Sequence, residues 1–222
     1  MRTHTEALIF DMDGVLVDTE PLHIRSWELA MQEVSPETMR TEASRRAFRT
    51  AREGLTGMSS ADIGNRLIRL FDLHLRVEEL LSLKRGHFRS MVEEDLSPFP
   101  GLLEELDNWK QIPMALATSS SRVEAEFMIS HLGVAERFNP IITSDDVNRA
   151  KPAPDCYLLA AERLGKRAAD CVVIEDSGHG IRAGLAAGAR VLAVEARVHP
   201  GDIDGVMGVF PSTVEALRWL RK

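Results

Sequence analysis

One feature of the chain narrows its fold at once: an unbroken apolar run, Ala7-Leu-Ile-Phe10, that stops abruptly at Asp11-Met-Asp13-Gly14. A strand covered on one face alternates apolar and polar residues, whereas a strand covered on both is apolar throughout. The run therefore predicts a strand buried between two layers, delivering a polar loop at its end. Four more runs of the same kind follow, Ile112 to Ala117, Pro140 to Thr143, Cys171 to Ile174 and Val191 to Val194. Between them lie stretches with helical spacing: Leu102/Leu103/Leu106, Val123/Phe127/Leu132 before Gly133, Tyr157/Leu158/Ala161/Leu164 before Gly165, and Ile181/Leu185 before Gly188. Glycine just past an apolar helical pattern is a helix stop signal. Strand and helix alternate, which predicts an α/β fold with a parallel sheet and helices on both faces.

One segment breaks the alternation. From about residue 16 to 91 no strand pattern occurs, only helical ones such as Leu22/Trp27/Met31/Val34 and Ile63/Leu67/Leu70, divided by Gly54 and Gly57. This predicts an all-helical domain, 16–91, inserted after strand one of a core formed by 1–15 and 92–222, and able to close over it as a lid. The chain has 222 residues, 44% of them hydrophobic and 27% charged, an ordinary balance for a folded globular protein. A net charge of -7 offers no basic surface to track a phosphate backbone, so the balance favours a metabolite over nucleic acid as partner. Cys156 and Cys171 match neither a redox pair nor a zinc cluster and read as two buried thiols. No stretch approaches the about 18 apolar residues of a membrane span, and the N-terminal run is too short for a signal core, so a cytoplasmic location is expected.

In an open parallel sheet, ligands bind beyond the carboxyl ends of the strands. Strand one ends in Asp11 and Asp13, strand two in Thr118 and Ser119, and strand four in Glu175 and Asp176, while Lys151 follows strand three. Asp11 and Asp13, two apart in extended backbone, project to the same side and repel, and Gly14 lets the chain turn sharply after them. A divalent cation relieves that repulsion, and hard oxygen donors suit Mg²⁺, with Asp176 as a distant third ligand. Mg²⁺ held by carboxylates commonly completes its shell with a phosphate oxygen. The Thr118 hydroxyl and the Ser119 N–H suit a phosphoryl oxygen, and Lys151 suits the charge gathering on a transferring group. Asp11 as nucleophile and Asp13 as acid, then base, complete a route through an aspartyl-phosphate. Each piece also has a plainer reading. Asp-x-Asp-Gly fits a calcium loop or a turn, Thr118-Ser119-Ser120-Ser121 fits a helix cap, and Lys151-Pro152 fits a solvated loop. Against these stands position, since unrelated loops have no reason to gather complementary groups at the same strand ends.

With these residues in place, the sequence resembles the haloacid dehalogenase superfamily, in particular its β-phosphoglucomutase-like phosphatase group with a small helical cap. Four motifs carry the resemblance in order: Leu8-Ile-Phe-Asp-Met-Asp-Gly-Val-Leu-Val-Asp-Thr19, Leu116-Ala-Thr-Ser-Ser120, Lys151-Pro-Ala-Pro-Asp155 and Val173-Ile-Glu-Asp-Ser177. The resemblance implies a Rossmann-like core and an Mg²⁺-dependent phosphatase of small phosphomonoesters, with sugar phosphates its expected substrates. It implies Asp11 as nucleophile, Asp13 as acid/base, Thr118 as phosphate ligand, Lys151 as charge-balancing lysine and Asp176 as metal ligand. Glu175 then lies in or next to the metal shell, and the Asp13 carbonyl is a further ligand. Asp13 argues for phosphate esters over halide release, because a dehalogenase attacking carbon needs no acid there.

In the inserted domain, Thr19 and His23 look like the family's Thr-x-x-x-His segment. The histidine suits either substrate positioning or a structural role beside Trp27. Lys84 resembles a lysine that contacts substrate phosphate. In Gly57-Met-Ser-Ser60 the related mutase carries an arginine where Ser60 stands, so hydrolysis is expected over the alternative, a phosphomutase of the β-phosphoglucomutase type. Arg45, Arg49 and Arg52 recur at helical spacing and face either a phosphorylated sugar or water. His4, His74, His87, His131, His179 and His199 show no metal-ligand spacing. A phosphate-responsive receiver domain has a similar acidic pocket but no helical insertion.

Overall fold

The computed structural model describes residues 5–53, 60–194, 201 and 203–222. The chain divides into two compact units, Met1–Thr19 with Leu96–Lys222, and Glu20–Asp95. In the first, β1 (Ala7–Phe10), β2 (Met114–Ala117), β3 (Ile141–Ile142), β4 (Cys171–Glu175), β5 (Arg190–Val194) and β6 (Gly208–Phe210) form one sheet in the order β3-β2-β1-β4-β5-β6. Every pairing is parallel. The order reverses between β1 and β4, which is the point where the loops leaving adjacent strands diverge and open a crevice.

The central strands β1, β2 and β4 are buried at every position. Ala7 and Ile9 of β1 join a cluster with Ala115, Ala117, Val173, Val191 and Ala193 under α7 (Asp155–Arg163) and α8 (Gly178–Ala186). By the period of two, the equally buried Leu8 and Phe10 serve the opposite face, where Phe10 meets Phe138 edge-on with ring centroids 5.5 Å apart. The other helices of this unit are α5 (Leu102–Asn108), α6 (Arg122–His131) and α9 (Thr213–Leu220). Both cysteines are buried free thiols.

Three expected helix faces hold in part: Leu102 and Leu106, Leu132, and Tyr157 and Ala161 are buried, but Leu103, Val123 and Leu158 are exposed, and the buried faces also carry Glu105 on α5, Ala125/Met128/Ile129 on α6 and Cys156/Ala160 on α7. Small residues let these helices lie close on the sheet. On α8 a methyl added at Gly184 would stand 2.9 Å from Val191 Cγ2. The edge strand β6 and α9 have no counterpart among the expected elements.

Every described element of the second unit is a helix: α1 (Glu20–Val34), α2 (Glu42–Glu53), α3 (Ser60–Leu70) and α4 (Val77–Asp95). Trp27, Ala30, Met31, Met39, Phe48, Leu67 and Leu80 form its core. Leu70, expected on the buried face of α3, is 56% exposed. Gly54, Gly57, Met58 and Ser59 lie outside the described residues, as do His4 and His199. No helix among the described residues is long and apolar enough to cross a membrane.

Candidate active site

The site grows from the end of β1. Asp11 follows the strand directly and is held by the neighbouring one, its N–H donating to the Ile174 carbonyl of β4 at 3.1 Å. The chain then turns: Gly14 N–H donates to Val17 O at 2.8 Å and Leu16 N–H to Met12 O at 2.9 Å. Gly14 has φ +78°, and a Cβ there would run into the Asp176 carboxylate. Glycine is thus required both for its backbone and for the close approach of the β4 loop.

Lys151 is the hub. Its Nζ donates to Asp11 Oδ1 at 2.6 Å, to Glu175 Oε1 at 2.8 Å and to the Ala117 carbonyl at 3.0 Å. An ammonium has three protons, so these acceptors use all of them. Burial works against the charge on Lys151, but Asp11 and Glu175 overcome it and hold its pKa well above the usual lysine value. Glu175 is equally engaged: Oε1 also accepts from the Tyr157 hydroxyl at 2.8 Å, and Oε2 accepts from Ser177 N–H at 2.9 Å and Ser177 Oγ at 3.0 Å. Burial alone would raise the Glu175 pKa. Lys151, Ser177 and Tyr157 outweigh burial and leave it below the usual value, so Glu175 is ionised.

Asp11 is the opposite case. Burial pushes its carboxyl well above the usual range; Lys151 pulls it down, while Glu175, Asp176 and Asp13 push it further up. A carboxylate crowded by three others is one that a cation would relieve. Carboxylate oxygens of Asp11, Glu175 and Asp176 lie within 4.8 Å of one another, an all-oxygen set that fits a hard divalent ion. Because four hydrogen bonds already occupy Glu175, Asp11 and Asp176 are the members better able to give a lone pair. The Asp13 carboxylate is outside this group. Its Oδ1 accepts from the buried Thr19 hydroxyl at 2.5 Å, and its Oδ2 from Ser120 Oγ at 3.4 Å.

Thr118 directly follows β2, is buried, and its Oγ1 accepts from Ser120 N–H at 3.1 Å. Together with Ser119, Ser144, Val147, Asn148, Ala150, Cys156 and Lys151 it lines a cavity of about 180 Å³. The plainer reading of the serine run is also fulfilled, by a different residue: Ser121 caps α6 in a reciprocal box with Glu124. Ser119 is exposed.

His23 and Lys84 belong to the helical unit, where Lys84 Nζ and His23 Nδ1 are 3.0 Å apart. His23 stacks on Phe88 at 4.4 Å, and Lys84, although buried, lies 4.6 Å from the same ring centroid. Arg45 and Arg49 pair with Glu42 at 3.3 and 2.5 Å on an exposed face, and Arg49 also reaches Glu28 at 3.7 Å. The Arg52 side chain lies outside the described residues. Sequence reasoning treated Tyr157 only as an apolar helix position. The signal that would have marked it is chemical: a hydroxyl on a fully buried helix face must find a partner.

A doubly wound sheet whose switch point gathers carboxylates around one buried lysine defines an α/β enzyme with an acidic, cation-ready centre. The model of the haloacid dehalogenase-like hydrolases matches residues 5–188, and the chain belongs to that family. It is 35% identical over 182 residues to fructose-1-phosphate phosphatase YqaB of Escherichia coli (strain K12), covering 82% of this chain and 92% of that protein. Hexitol phosphatase A of the same organism is 33% identical over 202 residues, covering 86% and 83%. The crystal structure of CbbY from Rhodobacter sphaeroides in complex with phosphate is 26% identical with a TM-score of 0.76, covering 95% of this chain and 96% of that one.

Proposed function

We propose that the protein is an Mg²⁺-dependent phosphatase that hydrolyses a small phosphomonoester, a sugar phosphate, through an aspartyl-phosphate on Asp11. The observation that carries this reading is the arrangement around Asp11: a buried carboxylate bonded to Lys151, grouped with Asp176, and followed two residues on by a carboxylate held separately by Thr19 and Ser120. In the proposed reaction Asp11 attacks phosphorus while Asp13 gives its proton to the departing sugar oxygen. Asp13, now ionised, takes a proton from water, which attacks the acyl phosphate and releases inorganic phosphate and free Asp11. Thr118 and the Ser119 N–H hold a phosphoryl oxygen. Lys151 has no spare proton, so it turns toward the phosphoryl group by giving up one partner, and the neutral Ala117 carbonyl is the weakest of the three.

Asp11 and Asp176, with the Asp13 carbonyl, are the proposed Mg²⁺ ligands, and Glu175 stands behind them. When bound, the ion offsets the repulsion between nucleophile and phosphoryl group. We assign the helical unit, expected at 16–91 and spanning Glu20–Asp95 in the structure, as a cap domain, and His23 and Lys84 as substrate contacts within it. The similarity to phosphatases named for fructose 1-phosphate and hexitol phosphates supports a sugar phosphate as substrate.

The test is release of inorganic phosphate from a panel of sugar phosphates, phosphoglycolate, nucleotides and pyrophosphate, with and without Mg²⁺. Turnover of a sugar phosphate that needs Mg²⁺ and vanishes in Asp11→Asn is expected. The substitution keeps the side chain's size, so the variant should stay folded by circular dichroism. Isomerisation of β-glucose 1-phosphate in the presence of its bisphosphate, with almost no phosphate release, would overturn hydrolysis in favour of a mutase.

A further inference from the structure

The first turn of α7 places the chain's single tyrosine, Tyr157, with no exposed surface against the sheet. Its neighbours in that cluster are apolar, among them Ala117, Ala160 and Val173, and a phenylalanine would fill the same space. What tyrosine adds is one hydroxyl, and that hydroxyl donates to Glu175 Oε1 at 2.8 Å, the same oxygen that accepts from Lys151. The ring itself lies beneath the ammonium, with Lys151 Nζ 4.8 Å from its centroid.

We infer that Tyr157 is a positioning residue for phosphoryl transfer: its hydroxyl fixes the Glu175 carboxylate, which in turn aims the Lys151 ammonium. Three acceptors set the direction of that ammonium, and only Glu175 is a charged partner that neither attacks phosphorus nor belongs to the main chain. Ser177 anchors Oε2 from both its N–H and its Oγ, so that end of the carboxylate is pinned. The opposite oxygen is held against rotation by Tyr157. Without the hydroxyl, Oε1 keeps Lys151 as its one partner, and the pair is free to shift together. Because groups aimed at a developing charge work only in the correct geometry, a small misplacement of Lys151 costs rate more than binding.

This inference rests on the proposed roles of Asp11 and Lys151, and the experiment separates the two. Tyr157→Phe keeps the ring and removes the hydroxyl alone. With p-nitrophenyl phosphate and Mg²⁺, kcat is expected to fall by about tenfold or more with KM unchanged, and inhibition by orthovanadate to weaken by a similar factor. A double-mutant cycle with Glu175→Gln adds a second reading: if the hydroxyl acts through Glu175, the double variant loses no more than Glu175→Gln alone. A Tyr157→Phe enzyme with wild-type kcat, or strictly additive losses in the cycle, would overturn the inference while leaving the phosphatase reading intact. An Asp11→Asn variant with wild-type turnover would instead remove the reading on which it rests.

Discussion

In the proposed reaction Asp11 carries two conflicting demands, since it must be buried to be shielded from water and ionised to act as a nucleophile. Burial, with Glu175, Asp176 and Asp13 nearby, outweighs Lys151 and holds the Asp11 pKa well above the usual range. A raised pKa means that Asp11 contributes stability below the ordinary carboxylate range and withdraws it as pH rises through the raised value. Protons and the proposed Mg²⁺ would therefore compete for the same oxygens. Mg²⁺ affinity is predicted to climb with pH by up to about tenfold per unit, levelling off above the Asp11 pKa. Calorimetric titrations in two buffers of different ionisation enthalpy would report the released proton, and a pH-independent affinity would contradict the assignment. Gly14 offers a second check. Alanine there must accept a left-handed φ, at about 1 kcal/mol or more, and must push the Asp176 carboxylate aside. Gly14→Ala should lower the melting temperature and abolish Mg²⁺-dependent turnover together.

The run Thr118-Ser-Ser-Ser121 shows how one short segment divides its work between a strand end and a helix start. Ser121 accepts from the Glu124 N–H at the beginning of α6, while Thr118 lines the cavity beside Lys151. Ser121→Ala should therefore cost about 1 kcal/mol in a urea melt with kcat unchanged, whereas Thr118→Val should lower kcat with little loss of stability. A large drop in kcat for Ser121→Ala would show the two duties to be entangled. The strands were readable because burial on both faces leaves a continuous apolar run, as in β1 and β4. β6 escaped notice for the converse reason: it is three residues long, lies at the edge, and leaves Val209 42% exposed. Helix faces were misjudged wherever large apolar residues such as Val123 and Leu158 stand in water while alanines do the packing.

At the scale of the whole chain, the strand-end groups were readable because topology alone brings successive loops to one rim. Asp11, Lys151 and Glu175 duly meet there. Partnerships across long separations were not. Lys84 and His23 are 61 positions apart, and nothing in their spacing says that they bond each other. The helical unit leaves the core after Thr19 and the chain rejoins it at Leu96. Close to those two points the Phe99 N–H donates to the Leu16 carbonyl at 3.0 Å, so the outgoing and returning chain are tied side by side. Bridging such a gap with a short flexible link carries a small entropic cost. A variant with Glu20–Asp95 replaced by a few glycines and serines is predicted to melt cooperatively and to keep Mg²⁺ binding. A broad, non-cooperative transition would show that the core needs the insert to fold. The same tie has a consequence for inheritance. The stretch of gene between the two crossings can drift, lengthen or be exchanged for another without altering the codons of Asp11, Lys151, Glu175 or Asp176, so under the proposed function descendants of one ancestor can diversify their diet while the chemistry at Asp11 stays fixed.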